Sequence, residues 1–317
     1  MPKKIILDVD PGIADAASIA LAAYDPAVEL LAVTSVGGNV PASAAAKNLQ
    51  AIIEFLDPPR LPRIGMGTAP DGTLPITFRQ VHGIDGLGGT PLPVAELRSQ
   101  HPAEKVICDI VRSDPENVMI ICMGPLTNIA RAFRRDPELP KMLRHIYITG
   151  GAVNARGNIS PCAEFNFYAD PVSARIVWHS PCTKTLVPLD VTNKILLRLN
   201  DLEQFPDEKT KLGTLLRSMF IPAIRAYHQN YGLEGVHIHD LITYIAATHP
   251  RLFETSEMTG DVEVKGHITK GMTVFDFRRL PELSYSIDVI TKIDADAVLD
   301  EIITGLNNAS EQMEKRV

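Results

Sequence analysis

The sequence predicts an α/β protein with a Rossmann-like, mostly parallel sheet that is flanked by helices. Apolar stretches of strand length alternate about five times with helical stretches over the first 190 residues, and no sequence unit repeats. Such alternation is typical of parallel strands joined by helices that pack on both faces of one sheet. The last third adds C-terminal helices and short antiparallel strands, and no linker precedes it. We therefore expect residues 1–317 to form a single domain rather than two.

The elements can be followed in chain order. Residues 5–10 form a predicted buried strand, and residues 15–24 repeat apolar side chains at the i, i+3, i+4 and i+7 spacing of a helix. A second apolar strand covers residues 28–36. The further predicted elements are helices over 42–56, 103–113 and 171–178, a helix ending near 135, and strands over 64–67, 118–123, 146–149 and 185–189.

Two regions depart from this alternation. Residues 68–101 are rich in Gly, Pro and Thr without a period, which predicts a long loop of functional importance. The last third carries the remaining elements, which are helices over about 201–230 and 239–248, antiparallel strands near 259–277 and 284–290, and a final helix. These segments are predicted to extend the core formed by the first 190 residues.

The composition restricts the classes of partner. The chain of 317 residues is 45% hydrophobic and 22% charged, as in an ordinary globular protein. A net charge of −7 gives no electrostatic support to a nucleic-acid or anionic-membrane partner, and no run of 18 apolar residues exists to span a bilayer. The first four residues lead directly into a strand, so we expect no signal peptide. The four cysteines form no CxxC pair and are expected to be reduced thiols of a cytoplasmic protein.

Polar residues gather at the predicted carboxyl ends of the strands, where open parallel sheets bind ligands. The first strand and its turn carry Asp8, Asp10 and Asp15, and three carboxylates so close together suit a hard cation such as Ca²⁺ or Mg²⁺. Asn39 follows the second strand, and Met123 ends the 118–123 strand. Later segments contribute Asn158, Glu164, Asn166, His239 and Asp240. We expect these segments to converge on one crevice.

In this order the motifs resemble those of the inosine-uridine-preferring nucleoside hydrolase family. The family opening resembles D-x-D-P-G-x-D-D-A, and residues 8–16 read D-V-D-P-G-I-A-D-A. The other matches are Gly38-Asn39, His82-Gly83, Gly124-Pro125-Leu126-Thr127-Asn128, Gly150-Gly151, Ala163-Glu164-Phe165-Asn166, Leu189-Asp190-Val191-Thr192 and His239-Asp240. The resemblance extends over about three quarters of the chain. It implies a single nucleoside-hydrolase-like domain, an enzyme of nucleoside salvage that hydrolyses the N-glycosidic bond of ribonucleosides to ribose and free base.

The resemblance implies one Ca²⁺ at the bottom of the pocket. Its ligands, carried over to this chain, are Asp10, Asp15, Asp240 and the backbone carbonyl of Met123. Water and ribose hydroxyls complete a shell of the six to eight oxygens that Ca²⁺ accepts. The Met123 sulfur is too soft a donor for this ion, so only its carbonyl fits. Coordination acidifies water, and Asp10 fits the role of the base that takes its proton.

The resemblance also implies the residues that hold the nucleoside. Asn158, Glu164 and Asn166 resemble the residues that bind the 5′, 3′ and 2′ hydroxyls of the ribose. His239 fits the acid that protonates the leaving base, because histidine titrates near pH 7. The remaining predicted site residues are Asn39 and, lining the base pocket, His82, Tyr227 and Tyr231. The predicted catalytic residues are Asp10, His82 and His239.

Ala14 departs from the family pattern, in which an acid precedes Asp15. That acid is expected to contact the ribose 2′-hydroxyl, and one charge-assisted hydrogen bond is worth about 1.5–3 kcal/mol. We therefore expect a weakened hydrolase. The alternative is a catalytically impaired protein that binds ribose or nucleoside with the help of the metal. An introduced substitution and a relative with another ligand also fit Ala14.

Three polar residues are expected outside the site. Asp8 is predicted to cap or pair near the strand end, Asp190 to satisfy a strand end or support the site, and His237 to be a packed or surface histidine.

An aspartyl phosphatase, which Asp8-Val9-Asp10 resembles, requires Thr or Val where Gly12 stands. The pair His82 and His239 favours the pyrimidine or broad-specificity branch of the family, but Tyr227 and Tyr231 allow purine stacking too, so the sequence does not select a base. Relatives are often dimers or tetramers, so we expect a homodimer or homotetramer.

Overall fold

The computed structural model describes residues 2–68, 79–93, 101–279 and 282–316. Its strands alternate with helices from the first residues onward, as the sequence predicts. In chain order the strands are β1 (Lys3–Val9), β2 (Val28–Ser35), β3 (Arg63–Met66), β4 (Val118–Cys122), β5 (His145–Thr149), β6 (Lys184–Val187), β7 (Leu196–Arg198), β8 (Gly235–His237), β9 (Phe253–Val262), β10 (Thr273–Phe275) and β11 (Ser286–Ile293).

Within the described ranges, the main sheet has nine strands in the order β10-β9-β11-β6-β5-β4-β1-β2-β3. The strands from β6 to β3 are parallel, and β11 extends them in the same direction. The antiparallel pairings of this sheet are those of β9, which runs antiparallel to both β10 and β11. A separate antiparallel pair is formed by β7 and β8. The predicted fold class, a mostly parallel sheet with added antiparallel strands, is confirmed.

Helices cover both faces of this sheet. The helices are α1 (Ile13–Tyr24), α2 (Ala42–Leu56), α3 (Arg79–His82), α4 (Ala103–Ser113), α5 (Thr127–Arg135), α6 (Leu139–Met142), α7 (Phe165–Ala169), α8 (Pro171–His179), α9 (Leu189–Thr192), α10 (Lys211–Tyr231), α11 (His239–Thr248) and α12 (Ala295–Glu314). One core joins α1, α2, α10, α11 and α12 to the sheet, and a second core joins α4, α5 and α8 to the other face. The strands are therefore buried from both sides, which explains their nearly continuous apolar sequence.

The structure corrects several predicted boundaries. The strand expected to reach residue 189 ends at Val187, because Pro188 lacks the N–H that would continue the ladder, and α9 begins directly after it. The helix expected over 201–230 is divided into a 3₁₀ helix (Leu199–Gln204) and α10, with Pro206 between them. Thr210 starts α10 by accepting a hydrogen bond from the Gly213 N–H at 3.1 Å.

The C-terminal strands also differ from expectation. The strand predicted near 259 already begins at Phe253, and the strand predicted over 284–290 is β11, which lies parallel to β6. The long loop predicted over 68–101 contains the short helix α3, and parts of it, residues 69–78 and 94–100, lie outside the described residues. Among the described residues no helix is both long and apolar enough to cross a bilayer.

Candidate active site

The candidate site lies where the order of the parallel strands reverses. The chain proceeds from β1 outward to β2 and β3 on one side, and from β4 to β6 on the other. The carboxyl ends of β1, β2, β4 and β5 therefore border one crevice, the usual ligand position in an open α/β sheet. Asp10, Asn39, Met123 and Thr149 stand at these four ends and all line the same cavity.

The cavity has a volume of about 340 Å³, within the usual range for small-molecule sites. Of the predicted site residues, those that line it are Asp10, Asn39, His82, Met123, Asn158, Glu164, Asn166, Tyr227, Tyr231, His239 and Asp240. Asp15 does not line the cavity, because it is fully buried beneath its floor in the first turn of α1. The structure thus gathers residues that lie more than 200 positions apart in the sequence.

Asp10 is fixed by the turn that follows β2. The Asn39 N–H donates to Asp10 Oδ2 at 2.8 Å, and Asn39 Nδ2 donates to the Asp10 carbonyl at 3.1 Å. Gly38 is required beside it, since a Cβ at that position would lie 2.1 Å from Asp10 Oδ2. The carboxylate is only 2% exposed, so its orientation is set by the backbone of a neighbouring strand end.

Asp15 caps the N-terminus of α1 from within the first turn of the helix. Its Oδ2 accepts a hydrogen bond from the Gly12 N–H at 2.9 Å, which satisfies one of the free donors at the helix N-terminus. Its Oδ1 is buried and has no hydrogen-bond partner among the described residues. A buried carboxylate oxygen without a donor is unfavourable, and a bound cation relieves that penalty.

The carboxylates oppose one another's ionisation. Burial, followed by the carboxylates of Asp15 and Asp240, raises the pKa of Asp10 well above its usual range. Burial raises the pKa of Asp15 to about 6 and that of Glu164 to about 7. Burial, followed by Asp15 and Glu164, likewise raises the pKa of Asp240. A group of this kind binds positive charge readily, because a cation favours the ionised form of every member.

Asn166 aligns two backbone carbonyls at the cavity floor. Its Nδ2 donates to the Met123 carbonyl at 2.9 Å and to the Thr149 carbonyl at 3.1 Å. The amide nitrogen is thus occupied by the ends of β4 and β5, and the Asn166 Oδ1 is the atom left to meet a ligand hydroxyl. The residue therefore supports the sheet edge in addition to lining the cavity, which the sequence pattern did not indicate.

Glu164 and Asn158 belong to the loop between β5 and α7. Glu164 Oε2 accepts from the backbone N–H groups of Phe167 at 3.2 Å and Gly151 at 3.3 Å, which fixes the carboxylate in the cavity wall. Asn158 Oδ1 accepts from the Phe165 N–H at 2.9 Å, so its Nδ2 is free to face a ligand. Glu164 is buried and Asn158 is exposed. Glu164 therefore lies at the buried end of the polar part of the cavity, and Asn158 lies at its exposed end.

The histidines are held as neutral rings. His239 Nδ1 lies 2.7 Å from the Thr192 hydroxyl, which leaves Nε2 for the cavity. Burial, with the neighbouring His237 second, lowers the pKa of His239 to about 3. His82 Nδ1 accepts from the Ile13 N–H at 3.4 Å, so its ring proton is on Nε2, and burial lowers its pKa to about 4. At neutral pH both rings are therefore uncharged, and a neutral imidazole carries one donor and one acceptor nitrogen.

Aromatic side chains form another part of the cavity wall. Tyr227 stands 5.3 Å from Tyr231 and 6.1 Å from His237 between ring centroids, and the His237 ring stacks near His239 at 5.4 Å. The expectation that His237 is merely a packed or surface histidine is wrong, since it lines the cavity. Its place in the wall follows from β8, which ends at His237 directly before α11.

Sequence reasoning missed other lining residues. Thr149, Arg156, Asn193 and Phe220 all border the cavity. A signal was present for two of them, because Thr149 ends a strand before Gly150-Gly151, and Phe220 shares one helical face of α10 with Tyr227. For Arg156 and Asn193 the loops gave no periodicity to interpret.

Two residues of the opening motif take different positions. Ala14 lines the cavity at the position where the family pattern has an acid. Asp8 does not line it; this buried carboxylate accepts hydrogen bonds from the Asn128 amide at 2.8 Å and from the Thr34 hydroxyl, and burial raises its pKa to about 7. Asp8 is therefore paired within the sheet, as expected. Asp190 supports the site by accepting N–H groups from the loop after β5.

The described part of the chain contains no group of three acidic, histidine or cysteine side chains close enough to bind a metal ion by themselves. An ion at this floor would need carbonyl, hydroxyl and water oxygens as well, which is how Ca²⁺ is commonly bound. The Met123 carbonyl and the free Oδ1 of Asp15 supply oxygens of that kind. The donor set thus contains oxygen only and fits a hard cation.

Comparisons with known proteins agree with this geometry. The profile of the family described as "Inosine-uridine preferring nucleoside hydrolase" matches residues 5–300. The pyrimidine-specific ribonucleoside hydrolase RihA of Salmonella gallinarum is 33% identical over 303 residues, which cover 95% of this chain and 97% of that protein. Uridine nucleosidase 1 of Arabidopsis thaliana is 33% identical over 310 residues, with 95% and 92% covered.

A solved structure has the same fold over its whole length. The purine-preferring ribonucleoside hydrolase from Gardnerella vaginalis superimposes with a TM-score of 0.91 at 29% identity, covering 98% of this chain and 100% of that one. The family profile covers all the segments that supply cavity-lining residues, and the alignment with the RihA relative covers 95% of this chain. This chain therefore belongs to the inosine-uridine preferring nucleoside hydrolase family, whose members are N-glycosyl hydrolases.

Proposed function

We propose that this protein catalyses the Ca²⁺-dependent hydrolysis of ribonucleosides to ribose and free base. One observation carries the proposal: buried carboxylates, aligned carbonyls and a group of aromatic side chains all line one cavity. Ribose is polar on its hydroxyl-bearing edges, and a nucleobase is flat and stacks on aromatic rings. A nucleoside therefore matches the two halves of the cavity with its two parts.

The cation is assigned to Asp10, Asp15, Asp240 and the Met123 carbonyl. Their fit rests on the unpaired Asp15 Oδ1, on the mutually raised pKa values of the carboxylates and on a carbonyl held in place by Asn166. When bound, Ca²⁺ neutralises these carboxylates, orients ribose hydroxyls and makes a bound water more acidic. The remaining steps follow from the protein's own groups.

Asp10 is the general base for the attacking water. Its carboxylate is held at the cavity floor by the Asn39 N–H, so it accepts a proton without a change of position. The oxygen of that water attacks C1′, and the sugar passes through an oxocarbenium-like state. Carboxylate oxygens of Asp10 and Glu164 and the aligned carbonyls stabilise the positive charge that develops on the ring.

Two neutral histidines contact the leaving base in this proposal. His239 and His82 each direct an Nε2 towards the cavity, since Thr192 holds Nδ1 of the first and Ile13 holds Nδ1 of the second. An N–H hydrogen bond from either ring stabilises the charge that accumulates on the base as the C1′–N bond breaks. Burial lowers the pKa of His239 to about 3, so in the free protein the ring is neutral and does not titrate near pH 7 as its residue type suggested.

Ala14 favours a second candidate function. Ala14 lines the cavity where the family pattern has an acid, and a methyl group cannot make the hydrogen bond to the ribose that the acid would make. We propose a reduced rate as the consequence. In the limiting case the protein binds ribose or nucleoside with the help of the metal and turns over very slowly.

The decisive experiment is a panel of uridine, cytidine, inosine and adenosine assayed for reducing sugar, with added Ca²⁺ and with a chelator. Release of sugar that is lost with the chelator and restored by Ca²⁺ is the expected result. The melting temperature should also fall on chelation, because a ligand present at 100 times its Kd stabilises a protein by about 2.7 kcal/mol. Calorimetric binding of nucleoside without turnover would favour the binding protein, and neither activity nor binding would refute both.

The choice of base, the assembly and the compartment are also proposals. The relatives named above are described as a pyrimidine-specific hydrolase, a uridine nucleosidase and a purine-preferring hydrolase, so family membership does not select a base. We propose a cytoplasmic homodimer or homotetramer that serves nucleoside salvage. Light scattering on the purified protein tests the assembly, and a monomer at assay concentration would contradict it.

A further inference from the structure

One cation in the cavity has no partner. Among the described residues that line the cavity, Arg156 is the only arginine or lysine, and its side chain is exposed. It makes no hydrogen bond or ion pair with any described residue. By contrast, Arg175 and Arg278 on the outer surface are each paired with an aspartate at 2.7 Å. Arg156 is therefore free to bind an anion at this cavity.

The loop that carries Arg156 is held in place on both sides. The Asp190 carboxylate accepts the N–H groups of Val153, Asn154 and Ala155 at 2.7–3.0 Å. After Arg156, the Gly157 N–H donates to the Pro161 carbonyl at 3.2 Å. The backbone of Arg156 is thus fixed at the cavity rim, and only its long side chain remains to be ordered by a ligand.

The two halves of the cavity determine which part of a nucleoside lies near Arg156. Under the proposed function, the base packs on Tyr227 and Tyr231 and the ring hydroxyls lie at the buried floor around Asp10, residues that all line the cavity. The ribose edge that remains is the one bearing the 5′ carbon. We place that edge towards the exposed loop that carries Arg156 and Asn158; Asn193 and Tyr231 are also exposed and line the cavity, and Arg156 is the cation among these four residues.

We propose that Arg156 binds a 5′-phosphate, so that the site hydrolyses ribonucleoside 5′-monophosphates as well as nucleosides. The inference rests on the proposed glycosidic hydrolysis and extends its substrate class. Water supplies the hydroxyl to C1′, the C1′–N bond breaks with its electron pair passing to the base, and the proton of the water ends on that base. The products are the free base and ribose 5-phosphate, and the phosphate ester stays intact.

The chemistry of the side chain fits this role. A guanidinium presents a planar fork of donors that binds two phosphate oxygens at once, which an ammonium cannot do. The carboxylates of the floor repel a phosphate, so a dianion needs a compensating cation at the rim. An arginine without an internal partner meets that need, whereas a neutral 5′-hydroxyl does not require it.

The test compares each nucleoside with its 5′-monophosphate in the native protein, in Arg156→Gln and in Arg225→Gln, with release of free base as the readout. Arg225 is exposed on α10 outside the cavity lining and serves as the matched control. We expect base release from the monophosphates by the native protein. The ratio of kcat/KM for monophosphate over nucleoside should fall about 10- to 100-fold in Arg156→Gln and remain constant in Arg225→Gln.

Cleavage of nucleosides without any cleavage of monophosphates would overturn the inference and leave the proposed function intact. A ratio that does not change in Arg156→Gln would overturn it as well. If no substrate is cleaved, hydrolysis of both substrate classes fails, and calorimetry with ribose 5-phosphate and ribose decides the phosphate-binding role of Arg156 separately. Tighter binding of ribose 5-phosphate that is lost in Arg156→Gln supports the phosphate site, and equal binding of the two sugars overturns it.

Discussion

The two halves of the cavity are built in different ways. The sugar half consists of buried groups at strand ends, where Asp10 is 2% exposed, and backbone N–H groups hold both Asp10 and Glu164. The base half consists of ring side chains from α10 and the segment before α11, and Tyr231 is 46% exposed. The sugar half is thus built around strand ends, with Asp240 supplied by the first turn of α11, and the tyrosines of the base half come from α10.

This difference separates the chemistry from the choice of base. A reacting centre needs groups held to within a fraction of an ångström, which buried strand ends provide. Selection of a base needs only a surface for stacking and a few donors, and exposed rings on a helix can change without disturbing the sheet. We therefore expect changes in the sugar half to affect mainly kcat and changes in the base half to affect mainly KM.

Replacing Asp10 with Asn should have the largest effect. The change keeps the shape of the side chain and removes the proton acceptor, so kcat should fall about 10²- to 10⁴-fold. Steady-state kinetics on the preferred nucleoside measures it. Asp109→Asn, an exposed carboxylate outside the cavity, is the control. A fall confined to KM would contradict the division between the two halves.

Gly38→Ala tests the fixation of Asp10 without touching its carboxylate. The added Cβ would lie 2.1 Å from Asp10 Oδ2, so the carboxylate must move, and a displacement of about 1 Å lowers kcat about 100-fold. Gly232→Ala is the matched control, since its Cβ meets nothing within 4 Å and only the positive φ opposes it. That control should lose about 1 kcal/mol of stability and keep its kcat. Equal kinetics for the two variants would refute the fixation of Asp10 by Gly38.

Ala14→Asp should raise kcat/KM by adding a polar group to the sugar half of the cavity. The new carboxylate restores a hydrogen bond to the ribose, so kcat/KM should rise at least about tenfold in the presence of Ca²⁺. Ala17→Asp is unsuitable as a control because Ala17 is fully buried, so the comparison is Ala14→Asn, which restores the shape without the charge. No gain in either variant would mean that Ala14 does not limit the rate.

Tyr231→Ala should have the smallest effect. Stacking on a base is worth about 1–3 kcal/mol per aromatic ring, and the exposure of Tyr231 favours the lower end. KM should rise about fivefold while kcat changes by less than about twofold. The same measurement on Tyr285→Ala, a partly exposed tyrosine outside the cavity lining, gives the background. A large loss of kcat would show that the base half takes part in positioning the reacting atoms.

Sequence patterns predicted the sugar half better than the base half. Asp10, Asn39 and Met123 follow apolar strands, and the rule that ligands lie at strand ends assigns such residues to one sheet edge from the pattern alone. The position of His237 is harder to predict, because its apolar neighbours Val236 and Ile238 resemble a buried strand and give no sign of the side that faces the cavity. The second function of Asn166, holding two carbonyls, depends on distances between strands that no sequence pattern contains.

The sequence by itself determined the alternation of strands and helices, the family and the cluster of acids at the first turn, because these depend on local periodicity and on residue types at fixed spacings. The tertiary structure decided which side chains share one cavity, since Asp190 and Thr192 acquire their roles through contacts across the fold. Local propensity determines where a strand ends. Only tertiary packing determines which other segments lie next to that strand end. The chemistry of the site depends on the side chains that these segments bring together.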